Sequence, residues 1–285
     1  MAMNKMFNMY MKSERFAESS AHEYTVIIND FLNYVGKAET EITVEDVTEW
    51  RESLEVYSTA TIAKKITCVK TYFRFLEDYD VIEKNPTKRL RSPEVVNKEK
   101  HHMTIGQVSA MVNACTNLRD RAIIILAATS GMRVSEFTNI TLDQYNAMRS
   151  EGKHRFNIVG KGNKTAPVVI NEEACEAIDK YLKVRCDYGT GNRNLILSDT
   201  GKTLSDKVAN QMLKRVAKAA GIEWYEDMTC HQLRAATATI LSDAGIPVMQ
   251  IRDVMRHANA STTNRYIKAS SEEIENNVMG IHIGL

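Results

Sequence analysis

The chain has none of the features that would commit it to a membrane, a metal or a disulfide framework. No apolar stretch approaches the ~20 consecutive residues that a membrane-spanning helix needs, and no signal-peptide pattern opens the sequence, so a cytoplasmic protein is expected. Its five cysteines (Cys68, Cys115, Cys175, Cys186 and Cys230) lie far apart without a C-x-x-C pair. That spacing argues against metal ligation and against disulfides, and for reduced thiols that mostly pack in cores. There is no Walker sequence and no cluster of carboxylates of the kind two-metal nucleases use, so neither metal nor nucleotide cofactor is expected. An excess of positive charge is missing too: 37 Lys+Arg against 36 Asp+Glu leave a net charge of +1. A nucleic-acid partner would therefore have to meet cations concentrated on one face.

Over 285 residues there is enough sequence for two domains, each with its own core. Ser20-Ala-His-Glu23 reads as a capping box opening a helix, with Tyr24, Ile27, Ile28, Phe31, Leu32 and Val35 at helical spacing and Gly36 as its stop. A second helix starts at Thr43, with Asp46 three residues on, and continues through Val47, Trp50 and Leu54. Ser58 or Thr59 caps a third, longer one with Ile62, Ile66, Val69, Phe73 and Leu76 on one face. Its opposite stripe is Lys64, Thr67, Thr71 and Arg74, two cations and two hydroxyls suited to phosphates and base edges in a DNA groove. Residues 58–91 hold eight Lys/Arg against four acids, so local charge permits a basic face in a chain of nearly zero net charge. Asn85-Pro86 ends this helical domain, residues 20–90, and the polar run 91–103 reads as a linker. Residues 1–19 look like a loosely ordered lead or an extra short helix, with no role assigned.

The second domain, residues 104–270, opens with Thr104 as a cap. Residues 118–129 are strongly apolar, hence a buried helix, closed by Gly131 in the left-handed position that commonly ends one. This puts Arg133 at the start of a following short helix. Residues 156–159 and 166–170 read as strands joined by Gly-Lys-Gly-Asn-Lys, a hairpin turn, with 142–145 as a possible third strand. The remaining elements are helical: 172–185, 206–220 closed by Gly221, 230–242 after Thr229, 248–255 after Pro247, and 262–268. On 206–220, Lys207, Gln211, Lys214 and Lys218 share one stripe above Val208, Met212 and Val216, a second candidate for reading a groove.

Four segments carry most of the chemical information. They are Thr-Ser-Gly-Met-Arg-Val-Ser-Glu-Phe (129–137), Val-Gly-Lys-Gly-Asn-Lys (159–164), His-Gln-Leu-Arg (231–234) and Arg-His-Ala-Asn-Ala-Ser-Thr-Thr-Asn-Arg-Tyr (256–266). In order and spacing they resemble the four signature boxes of the tyrosine recombinases, or lambda-type integrases, and residues 20–90 resemble that family's helical core-binding domain. Four boxes in the right order are far more specific than any one of them. The resemblance implies a mainly α fold with a small antiparallel β-sheet, built as a helical core-binding domain plus an α+β catalytic domain. It implies an enzyme that cleaves and rejoins DNA through a covalent 3′-phosphotyrosine, with no cofactor.

Residue by residue, the resemblance makes Arg133 and Arg234 the pair that holds the non-bridging oxygens of the phosphate. Arginine suits that task because its planar fork bonds two oxygens and keeps its charge. His231, three residues before Arg234, lies on the same helix face. It would either accept the phenol proton or bond the phosphate, and the two roles stay open. His257 would donate to a non-bridging oxygen, and Tyr266 would be the nucleophile. Lys161 at the hairpin tip, or Lys164 if the register differs, would protonate the leaving 5′-oxygen. Glu136 would orient Arg133 rather than react. The sequence departs from the family's pattern at Ala235 and Ala236, where His and Thr or Ser are common, at Arg256, where glycine is usual, and at Phe137, where leucine is usual.

Double-stranded DNA is the implied partner, together with further copies of the chain: a dimer on one site and a tetramer in synapse. The apolar tail 271–285, from Ile274 to Leu285 in particular, would mediate that assembly. No arm-binding module fits the length, which suits a compact enzyme of dimer resolution, cointegrate resolution or simple integration. Competing readings are a type IB topoisomerase, which rejoins the same strand, and a non-catalytic DNA-binding protein of the same fold.

Overall fold

Side-chain caps set where most of the helices begin. In the computed structural model, which describes residues 2–95, 101, 103–159 and 165–256, two compact units separate at residues 1–99 and 100–285. The first contains α1 (Ala2–Ser13), α2 (Glu18–Val35), α3 (Val44–Ser53) and α4 (Thr59–Asp78). Thr43 and Asp46 form a reciprocal capping box on α3, and the Ser58 hydroxyl accepts from the Thr61 N–H at the start of α4. Gly36 closes α2 at φ 66°, a left-handed conformation that glycine adopts without a side-chain clash. The core is aromatic: Phe31 meets Trp50 and Phe73 edge-on at 4.9 and 5.7 Å, and Tyr72 and Phe75 stand beside them.

Of the two readings of the N-terminal residues, a loose lead or an extra short helix, the structure has the helix, with Phe7 and Met11 fully buried in the same core and Phe7 edge-on to Tyr72 at 5.1 Å. One expectation for this unit needs correction. Ser20 and Glu23 do not cap α2, which starts two residues before Ser20 behind Ala17, with no side-chain cap. The chain returns from α1 through Arg15 at positive φ, and Phe16 packs on Tyr24, so the entry to α2 is fixed by packing instead. Glu23, inside the helix, pairs with Lys64 of α4.

The second unit holds α5 (Ile105–Ala114), α6 (Leu118–Ser130), α7 (Val134–Phe137), α8 (Leu142–Ser150), β1 (Arg155–Val159), β2 (Thr165–Val169), α9 (Glu172–Leu182), α10 (Asp206–Ala219), α11 (Cys230–Asp243) and α12 (Val248–Met255). Helix α6 runs through the middle, with residues 122–128 all buried, and packs on α5, α9 and α11. Its Asp120 is fully buried, which requires compensation. The carboxylate accepts from Asn117, Arg119 and Arg215, the last reaching it from α10. Strands β1 and β2 pair antiparallel from Arg155↔Val169 to Val159↔Thr165, and they form the whole sheet among the described residues. Residues 142–145 are helical rather than a third strand. Thr141 and Gln144 make a capping box, and Tyr145 and Met148 then fall on the buried face of α8. Helix α9 stops at Leu182, short of Arg185, because the Arg185 guanidinium turns to the carbonyls of Asn192, Asn194 and Leu195. The expected helix 262–268 lies outside the described residues. No described helix is long and apolar enough to cross a membrane.

Candidate active site

Three arginines from separate parts of the second unit meet at one carboxylate. Arg133 is the N-cap of α7, placed there because Gly131 ends α6 at φ 59°. Glycine is needed at that point twice over: a Cβ would also lie 2.9 Å from the Met255 sulfur of α12. Glu136, one turn into α7 and 4% exposed, accepts the Arg133 backbone N–H on Oε2 and the Arg133 guanidinium on Oε1, each at 2.8 Å. Arg234 of α11 is buried, and its guanidinium donates to the carbonyls of Gly131 and Met255. Its Nη1 also lies 3.9 Å from Glu136 Oε2. Arg256, just past α12, donates from Nη2 to the same Oε2 at 2.8 Å.

This is a cluster of three cations around one carboxylate among the described residues. Burial alone would raise the Glu136 pKa, but the Arg133 N–H and guanidinium and the charge of Arg256 outweigh it and hold the carboxyl below its usual range. Glu136 therefore stays ionised, and the guanidinium forks are fixed before any ligand arrives, which is the arrangement that stabilises developing negative charge most efficiently. Helix α11 is in turn fastened to α6 by Thr237, whose hydroxyl donates to the Ala128 carbonyl at 2.8 Å. Nothing in the sequence pattern marked Thr237 or Gly131 O for this role, since both act through backbone carbonyls.

Of the expected catalytic residues, Arg133, Arg234 and the orienting Glu136 are thus brought together. His231 sits exposed on α11, three residues before Arg234. Lys161, with its alternative Lys164, and His257 and Tyr266 lie outside the described residues, as does the tail 271–285. Strands β1 and β2 end on either side of the segment that carries Lys161, their last pair being Val159↔Thr165.

The groove-reading candidates divide. Lys207, Gln211, Lys214 and Lys218 are all exposed along α10, above buried Met212 and Val216. On α4, Arg74 and Thr67 are exposed, and Lys64 is tied to Glu23. Thr71 is a correction: it is buried, with its hydroxyl donated to the Thr67 carbonyl at 2.8 Å, because it faces α2 and Tyr24 rather than solvent. Sequence spacing also gave no hint of His154, Glu172 and Cys175, three potential metal ligands near one another at the foot of the hairpin. Glu172, however, is already held by both Nη atoms of Arg149.

Comparison with known proteins gives the family. The phage integrase family model matches residues 101–273, and the model of the phage integrase N-terminal SAM-like domain matches residues 5–79. The chain is 30% identical to the tyrosine recombinase XerD of Rickettsia conorii, over 95% of each chain. It is 27% identical to the tyrosine recombinase XerA of Pyrococcus horikoshii, over 94% of this chain and 89% of that one. Among solved structures, a lambda integrase dimer bound to a COC' core site superposes with a TM-score of 0.75 at 15% identity, over 95% of this chain and 96% of that one. The XerH recombinase bound to a palindromic difH substrate gives 0.71 at 18% identity, over 97% and 84%. These two likenesses are of fold. With a family model matched over more than half its length, the chain belongs to the phage integrase family, the tyrosine recombinases.

Proposed function

We propose that this is a cytoplasmic site-specific recombinase that breaks and rejoins duplex DNA without metal or nucleotide. The observation that carries the reading is the convergence of Arg133 and Arg234 on Glu136, which sets two fixed guanidinium groups beside one another. The Tyr266 oxygen attacks the scissile phosphorus. The bond to the 5′-oxygen breaks, its electron pair leaves with that oxygen, and Lys161 supplies the proton. Arg133, Arg234 and His257 hold the non-bridging oxygens, and His231 either joins them or takes the phenol proton. The 3′-phosphotyrosine conserves the energy of the broken bond, so a 5′-hydroxyl from a second duplex can displace the tyrosine and complete exchange.

The DNA contacts proposed are Lys64, Thr67 and Arg74 from α4 and Lys207, Gln211 and Lys214 from α10. Assembly as a dimer on one site and a tetramer in synapse is assigned to the tail 271–285. In support of that tail, a groove of about 460 Å³ between α5, α6 and α11 offers apolar surface at Val108, Val112, Ile125, Ile240 and Leu241. Integration and the resolution of dimers or cointegrates all follow from the same chemistry.

The test is a suicide substrate nicked near the cleavage position, which traps the covalent protein–DNA adduct. Wild type should accumulate the adduct and Tyr266→Phe should not. Adduct formation by Tyr266→Phe would reassign the nucleophile, and no adduct from any cognate site would remove the enzymatic reading. Removal of residues 274–285 should abolish cooperative binding to paired half-sites; unchanged cooperativity would refute the role of the tail.

A further inference from the structure

Arg256 occupies a backbone conformation that does not suit it. It closes α12 at φ 53°, ψ 44°, the left-handed region where a side chain crowds its own carbonyl. A residue that persists there is held by its surroundings. Its Nη1 donates to the Val254 carbonyl at 3.0 Å, and its Nη2 donates to Glu136 Oε2 at 2.8 Å and to the Gly131 carbonyl at 3.1 Å. Both of the last two acceptors are shared. Oε2 also takes the Arg133 N–H, and the Gly131 carbonyl also takes Arg234 Nη1. The Arg256 Nε–H is buried and has no acceptor among the described residues, so the side chain is held by its fork alone.

We propose that Arg256 is a positioning residue of the phosphate pocket, its guanidinium fixing the Glu136 carboxylate and the Gly131 carbonyl between Arg133 and Arg234. The same fork ties the end of α12 to α7, and the next residue in the chain is His257. A simple helix C-cap would need only the backbone N–H of Arg256, which donates to the Arg252 and Asp253 carbonyls. The two bonds to shared acceptors make Arg256 part of the network that orients both phosphate-binding arginines.

The inference rests on the recombinase reading for its activity measurements, and one measurement is independent of it. The decisive variant is Arg256→Gly, which removes the guanidinium and relieves the backbone conformation; that relief offsets part of the cost of the lost Glu136 pair, and thermal unfolding should confirm a folded protein before cleavage is measured. With the nicked suicide substrate, single-turnover cleavage by Arg256→Gly should fall about ten- to a hundred-fold while DNA affinity stays within about twofold. Arg256→Lys, which can pair with Glu136 but cannot fork to Gly131, should recover part of the loss. Without DNA, carboxyl-detected NMR titration of Glu136 should show its pKa rise in Arg256→Gly. Arg133 and Arg234 would then be its remaining facing charges, from the start of α7 and from α11. Wild-type cleavage by Arg256→Gly, or an unmoved Glu136 titration, would reduce Arg256 to a cap and overturn the proposal. A wild-type protein that forms no adduct would instead count against the recombinase reading, and the titration would still decide the role of Arg256.

Discussion

Arg133 gives Glu136 two hydrogen bonds, one from its backbone N–H and one from its guanidinium, each 2.8 Å long. A carboxylate so held has a lower pKa folded than unfolded. Its contribution is therefore complete above the unfolded value, ~4.3, and is lost as pH falls through the folded one. Glu136→Gln removes the carboxylate charge that lies 3.9 Å from the buried Arg234 guanidinium and pairs with Arg133 and Arg256. We expect it to cost about 3 kcal/mol at pH 7, the low end for breaking a buried pair, because Arg133 keeps partial access to water. The loss should shrink between about pH 5 and pH 3, where wild type loses the same contribution. Urea unfolding at pH 7 and pH 4 measures both. An equal loss at the two values would mean that Glu136 matters for shape rather than charge.

How much of this was legible beforehand depended on whether a feature is local. The Thr43–Asp46 box and the Gly131 stop act within a few residues, and both stand in the structure where the spacing predicts them. Arg133 and Arg234 could be paired through the order of the boxes, but their meeting at Glu136 and Gly131 O is made by tertiary packing. Residues 142–145 illustrate the limit: four residues with apolar ends suit a strand or a helix, and the cap at Thr141 decided for the helix. Thr71 failed differently. A stripe at helical spacing shows which residues share a face, whereas its edge was covered by α2.

The N-terminal helix should be a structural part of its unit. Phe7 is 1% exposed against Tyr72 and Phe75, whereas Met9 on the opposite face is 64% exposed. Phe7→Ala should destabilise the first unit by about 3–5 kcal/mol, and Met9→Ala by no more than ~0.5 kcal/mol. Thermal unfolding monitored by circular dichroism separates them. A Phe7→Ala protein as stable as wild type would show that α1 is dispensable.

Cysteine chemistry should single out one thiol. Burial pushes Cys68 up to about 11 and Cys230 up to about 12, the half-buried Cys115 reaches about 11, and Cys175 is raised as well. Cys186 is exposed. Thiolate is the reactive form, so iodoacetamide at pH 7.5 should label Cys186 first, and the other four only as the protein unfolds. Peptide mass spectrometry over a time course reads the order, and rapid labelling of Cys68 or Cys230 would contradict the packing.

Two adjacent residues of α10 should behave in opposite ways. Arg215 donates to the fully buried Asp120 carboxylate, so its charge is spent inside the protein, whereas Lys214 is exposed and makes no ion pair among the described residues. Arg215→Ala should lower stability by about 3 kcal/mol, because it leaves Asp120 with Arg119 alone as counter-charge. Lys214→Ala should leave stability unchanged and weaken DNA binding. If Lys214 neutralises one phosphate, its loss reduces the slope of log affinity against log salt concentration by about 0.9, and Arg74→Ala on α4 should do the same. Thr71→Val, which replaces a buried hydroxyl at constant shape, should leave that slope alone. Fluorescence anisotropy with a labelled duplex, repeated from low to physiological salt, gives each slope directly. An unchanged slope for both Lys214→Ala and Arg74→Ala would place the DNA on another face of the two units.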